Sequence, residues 1–99
     1  MLNIKNTREE ARLTVALEGR LDTTTAPDLE KNLQESIQGV EELTMDFEKL
    51  DYISSAGLRV LLSAQKIMNK QGSMKLCHVN ESIMEILEVT GFVDILTIE

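Results

Sequence analysis

The stretch Ala11-Arg12-Leu13-Thr14-Val15-Ala16-Leu17-Glu18 sets Leu13, Val15 and Leu17 on one side and Thr14, Ala16 and Glu18 on the other. Side chains alternate across a β-strand, so this run is a strand covered on one face and wet on the other. Residues 40–47 repeat the pattern, with Leu43, Met45 and Phe47 opposed to Thr44 and Asp46. Central strands of a doubly wound sheet read instead as continuous apolar runs. Two alternating strands therefore predict a two-layer α/β domain, with a mixed sheet of four to five strands and helices mainly on one face.

Outward from this strand, the chain alternates strand-like and helix-like segments without a linker, repeat or low-complexity run, so residues 1–99 are expected to form a single domain. Residues 2–6 read as a first strand, antiparallel in character, turning through residues 7–10, and Gly19 ends the second strand. The polar loop Asp22-Thr23-Thr24-Thr25 feeds a helix with Thr25 at its N-cap, Pro27 in its first turn and Asp28 completing a capping-box variant. Leu29, Leu33 and Ile37 form its apolar stripe, and Gly39 stops it. After the strand at 40–47, a loop at 48–53 leads into the longest helix, which ends near Lys70-Gln71-Gly72. Its apolar set is Leu58, Leu61, Leu62, Ala64, Ile67 and Met68. Residues 74–79 read as a strand. Asn80 caps a short helix carrying Ile83, Ile86 and Leu87, Thr90-Gly91 stops it, and residues 92–98 form a last apolar segment, expected as a strand.

Composition narrows the function classes. With no Trp, one Tyr and two Phe the core is aliphatic. The net charge of −7 and the lack of a Lys/Arg cluster argue against nucleic acid as a partner. No run approaches the roughly 18 apolar residues of a membrane span, and the N-terminus lacks the apolar core of a secretory signal. The cytoplasm is the expected compartment. One His, one Cys, no glycine-rich phosphate loop and no metal-ligand cluster leave no catalytic set, so neither enzyme activity, cofactor nor metal is expected. Cys77 and His78 are adjacent, and on a strand they point to opposite faces, which is poor geometry for a shared metal. Cys77 reads as a small buried hydrophobe. Met45, Met68, Met74 and Met84 read as core filler.

Chemistry concentrates in Asp51-Tyr52-Ile53-Ser54-Ser55-Ala56-Gly57-Leu58. Two serines stand where a loop becomes a helix, and either hydroxyl is a good N-cap, worth roughly 1 kcal/mol. The same place suits an anion, because the helix start offers unpaired N–H groups and about +0.5 of partial charge. A phosphoserine there, with about −1.5 to −2 charge, rewrites an exposed patch without unfolding the domain.

Ile53-Ser54-Ser55-Ala56-Gly57-Leu58 resembles the phosphorylation motif of STAS domains, in particular the bacterial anti-sigma factor antagonists, whose usual form is Asp-Ser-Ser/Thr-Gly-Leu after a hydrophobic residue. Gly19-Arg20-Leu21-Asp22, followed by Thr25-Ala26, resembles the family's turn into its first helix, and Thr90-Gly91-Phe92 resembles its Ser/Thr-Gly-Leu/Phe before the last strand. The likeness spans essentially the whole chain. It implies that Ser55 is the phosphate acceptor, with Ser54 a weaker candidate, and that Asp22, Thr23, Thr25, Ser54, Ser55, Ala56 and Gly57 belong to a partner-binding surface. Arg59, four residues after Ser55 on the same helical face, is counted with that partner-binding surface; it reads as a solvated charge or as a contact to a phosphate on Ser55. Asp22 reads equally as a turn residue accepting local N–H bonds. The family's Asp before the acceptor is Ser54 here, and the second hydroxyl residue is Ala56, which removes a negative charge beside the acceptor.

The implied partners are an anti-sigma factor that is also a serine kinase of the ATP-binding histidine-kinase-like fold, and a PP2C-type phosphatase. Binding of the unphosphorylated chain releases a sigma factor; phosphate on Ser55 ends that binding. The alternative is a scaffold or regulator of secretion, motility or biofilm formation without a phospho-switch, in which the serine only caps. No long apolar surface stripe is visible, so a monomer is expected.

Overall fold

A computed structural model describes residues 1–99. Its order is β1 (Leu2–Glu9), β2 (Arg12–Leu21), α1 (Ala26–Ser36), β3 (Glu42–Ile53), α2 (Ser55–Gln71), β4 (Ser73–Cys77), α3 (Glu81–Val89) and a 3-10 turn at Phe92–Asp94. The four strands form one mixed sheet in the order β1-β2-β3-β4, antiparallel between β1 and β2 and parallel thereafter. The α/β architecture expected from the alternating strands is the one observed.

Leu13, Val15, Leu17, Leu43, Met45, Phe47, Met74 and Leu76 point into a single core. Leu29, Leu33 and Ile37 of the α1 segment, Leu58, Leu61, Ala64 and Met68 of α2, and Ile83 and Leu87 of α3 close it from the helical side. The other sheet face carries Lys5 and Thr7 opposite Ala16 and Thr14, which in turn oppose Asp46 and Thr44. That face holds no helix-packing residues and stays wet.

Several boundaries differ from the sequence reading, each for a definable reason. The first strand runs on to Glu9, because the whole of 2–9 pairs with β2 and only Glu10, at φ 55, and Ala11 make the turn. Gly19 does not end β2; it sits inside the strand at φ 107, beneath a shift of register. Residues 48–53 are strand, not loop. Between Ala16 and Glu18 the partner strand advances from Asp46 to Lys49, and between Gly19 and Arg20 from Leu50 to Tyr52. Each place inserts one extra β3 residue, a β-bulge that breaks the two-residue period and hides the strand. Asp46 Oδ1 pins the first bulge by accepting the Glu48 N–H at 3.0 Å.

The last expected strand is reduced to the 3-10 turn and a single parallel bridge between Leu76 and Ile98. β4 stops at Cys77, not at 79, because His78 turns left-handed at φ 56. On α2, Leu62 is half-buried and Ile67 is exposed, so the buried face is narrower than the apolar pattern. Met84 is half-buried, whereas Met45, Met68 and Met74 are core residues.

Candidate functional site

Because β2 and β3 are parallel neighbours, the loops after them emerge side by side at the carboxyl edge of the sheet, a usual location for sites in α/β folds. The register brings Leu21 opposite Ile53, and the Ser54 N–H donates to the Leu21 carbonyl at 2.9 Å. The start of α2 is thereby tied to the end of β2. Gly57 completes the junction. A Cβ there would lie 2.7 Å from Leu21 Cγ and 2.9 Å from Ile53 Cγ1, so only glycine lets the helix sit this close to the two strands.

The two serines divide the roles left open by the sequence. Ser54 is the N-cap, with extended backbone and its Oγ accepting the Gly57 N–H at 3.3 Å. Ser55 is the first helical residue, and its side chain is exposed. It stands over first-turn N–H groups that have no helical acceptor. A phosphate there meets a positively polarised terminus.

The Asp22 loop is fixed by its own threonines. Asp22 Oδ1 accepts from the Thr24 hydroxyl at 2.7 Å, the Thr24 N–H at 3.0 Å and the Thr25 N–H at 3.1 Å. Thr25 Oγ1 accepts the Asp22 N–H and donates to the Arg20 carbonyl, both at 2.8 Å. The expected side-chain cap by Thr25 is therefore absent, because its hydroxyl is engaged backwards. Thr25 is also 7% exposed, so it shapes the loop and offers a partner nothing to touch. Replacing it with the near-isosteric valine strands the Asp22 N–H and is expected to cost about 1–3 kcal/mol in urea denaturation.

The hydrogen bond from the Thr24 hydroxyl is the largest influence lowering the Asp22 carboxyl, from an ordinary 3.8 to about 2, against the opposing effect of burial. A carboxylate stabilised in the folded chain contributes fully above its unfolded value and loses that contribution as pH falls through about 2. Carbon-detected NMR titration should place the Asp22 midpoint near 2, and Thr24→Ala should move it up toward 3.8.

Thr23, Ala56 and Arg59 come together with Ala26, Pro27, Glu30 and Val60 around a shallow cavity of about 200 Å³ beside the start of α2. Arg59 is exposed and forms no ion pair. Gly57 is buried and acts through packing alone.

The sequence reading missed Arg20 over the Tyr52 ring, at 4.3 Å from its centroid, with the Arg20 guanidinium 3.9 Å from Asp22. The signal lay in the parity of Tyr52 against Ile53, visible only once β3 extends to Ile53. Cys77 is half-buried rather than buried, and it lies on the wet face of the sheet because it pairs with Asp46 there. Burial, and then the Asp46 charge, push its thiol pKa up.

The STAS domain family model matches residues 3–99, and the chain belongs to that family. Its relatives are anti-sigma factor antagonists. BtrV of Bordetella bronchiseptica, a candidate anti-sigma factor antagonist, is 36% identical over 88 residues, covering 87% of this chain and 76% of that protein. The anti-sigma F factor antagonist of Paenibacillus polymyxa is 31% identical over 100 residues, covering 98% and 86%. Among solved structures, an anti-sigma factor antagonist from Mycobacterium paratuberculosis superposes with a TM-score of 0.90 at 17% identity, covering 99% of this chain and 85% of that one. Phosphorylated SpoIIAA of Bacillus gives 0.77 at 15% identity, covering 98% and 91%. These structures share the fold. As a member of this group of regulators the chain is not an enzyme. No helix is long and apolar enough to cross a membrane.

Proposed function

We propose that this chain is a partner-switching anti-sigma factor antagonist controlled by phosphate on Ser55. Unphosphorylated, it docks through the Asp22 loop and the start of α2 onto an anti-sigma factor that is also a serine kinase, and a sigma factor is released. The kinase transfers a phosphoryl group from ATP to Ser55, the complex parts, and a PP2C-type phosphatase restores the hydroxyl. The partners supply the catalysis; this chain supplies an acceptor oxygen and a surface.

One observation carries the reading: Ser54 takes the capping role, leaving the Ser55 hydroxyl exposed at the first turn of a 17-residue helix. The SpoIIAA fold occurs in phosphorylated and unphosphorylated forms, which agrees with a switch that leaves the fold intact.

The test is incubation of the purified chain with ATP and each histidine-kinase-like serine kinase from the same genome, reading complex formation and the phosphosite by mass spectrometry. One kinase is expected to bind the unmodified chain, to phosphorylate Ser55, and to lose the phosphorylated product. Stable binding of a partner with no phosphate on Ser55 would favour the scaffold reading, and phosphate on Ser54 would move the switch by one residue.

A further inference from the structure

A second constellation lies on the opposite face of the sheet. Asp46 of β3 and Cys77 of β4 are cross-strand partners and project to the wet side. A strand would send the next residue to the core side, but His78 is left-handed at φ 56, one of only two non-glycine residues with positive φ. The turn folds its imidazole back over the same face, with Nδ1 2.9 Å from Asp46 Oδ1. One ligand atom each from Asp46, Cys77 and His78 lies within 4.8 Å of the others. The β3 bulge holds the carboxylate in place through the Glu48 N–H.

We propose that Asp46, Cys77 and His78 form a binding site for a borderline-soft divalent cation, zinc above all, separate from the Ser55 switch. The donor set is one thiolate sulfur, one imidazole nitrogen and one carboxylate oxygen. That combination suits zinc and disfavours magnesium or calcium, which take oxygen donors. Bond lengths of about 2.0–2.3 Å in a tetrahedral site place donor atoms roughly 3.3–3.8 Å apart. The carboxylate and imidazole donors, 2.9 Å apart, therefore spread by roughly 0.5 Å, the thiol closes by roughly 1.3 Å at most, and the fourth position stays open to water. On binding, the S–Zn bond replaces the Cys77 S–H bond and the proton passes to solvent. Glu48 and Glu99 add negative charge to the surroundings of Cys77, and Lys75 opposes them. Asp46 pairs with Ala16 and Ile53 with Leu21, five residues further along β2, which is roughly 17 Å at a strand's rise. An ion here does not touch the start of α2.

The test uses the untagged full chain. Zinc is titrated by calorimetry, and cobalt is added as a spectroscopic substitute. Saturable binding of one zinc per chain is expected, unaffected by excess magnesium, with a thiolate-to-cobalt charge-transfer band. His78→Gly keeps the left-handed turn while removing the imidazole, and Cys77→Ser keeps the size. Each should weaken zinc by more than the roughly 10–100-fold loss typical of an outer-shell partner, and Cys77→Ser should abolish the cobalt band. Circular dichroism of each variant reads its fold independently. Absence of saturable zinc binding would overturn the proposal. So would zinc affinity unchanged in both folded variants, since the ion would then sit on scattered surface carboxylates.

Discussion

Gly72→Ala is expected to destabilise the chain by about 3 kcal/mol or more, toward the severe end of overpacking changes. Gly72 is exposed and its φ of 172 is ordinary extended backbone, so the effect is steric and not conformational. A Cβ would overlap the Glu41 carbonyl oxygen and lie 2.6 Å from its carbon and 2.8 Å from its Cα. Glu41 has no room to yield. Its N–H donates to the Ala11 carbonyl at 2.7 Å, and its carbonyl accepts the Ser73 N–H at 2.9 Å. The clash therefore pries apart the β2, β3 and β4 entry turns together. Domains of this kind hold only about 5–15 kcal/mol in total. Urea denaturation should show a large fall in midpoint with little change in slope. Gly91→Ala is the control. Gly91 is left-handed at φ 80 with nothing within 4 Å, so the substitution meets conformational strain alone, about 1–2 kcal/mol. If Gly72→Ala costs no more than Gly91→Ala, the close approach to Glu41 does not set the cost.

Gly72 also shows how far one-dimensional patterns reach. Read along the chain, it marks the end of a helix; its demand for zero side chain comes from Glu41, thirty-one residues earlier. The core was legible because Leu13, Val15 and Leu17 and then Leu43, Met45 and Phe47 keep a strict two-residue period. The distal half of β3 was not, because its two bulges leave Glu48 with Lys49, and Asp51 with Tyr52, exposed in succession. Such a pattern is indistinguishable from a loop until the partner strand's register is known. The same error concealed Arg20 over Tyr52. At the candidate site, Ser54, Ser55, Gly57 and Asp22 were readable as types in order, because helix starts and polar turns are local chemistry. Which serine caps was not, since it depends on the Ser54 N–H being anchored to Leu21 across the sheet. His78 is the sharpest case: one backbone angle reverses the face on which its ring lies, and no neighbour in sequence announces it.

Ser55→Asp is expected to weaken partner binding by about a hundredfold or more while leaving the chain as stable as the wild type, or slightly more so. The two effects have opposite signs because the carboxylate meets different surroundings in each state. In the free chain it sits at the first turn of α2, where negative charge is favourable by about 0.3–1 kcal/mol. In the complex the same charge must shed its water against a surface shaped for a hydroxyl, and an uncompensated buried charge costs about 3–5 kcal/mol. Ser55→Ala removes the acceptor hydroxyl, which is exposed and bonds to no other group of the chain, so stability should move by less than about 0.5 kcal/mol. It should bind the partner and refuse phosphate. Ser54→Ala separates capping from switching. It loses the bond to the Gly57 N–H, about 1 kcal/mol of stability, yet leaves the Ser55 hydroxyl available to the kinase. Denaturant melts and affinity measurements on the three variants give a pattern that no capping-only role for Ser55 reproduces. A Ser55→Asp chain that binds as tightly as wild type would mean that charge at the start of α2 does not govern docking.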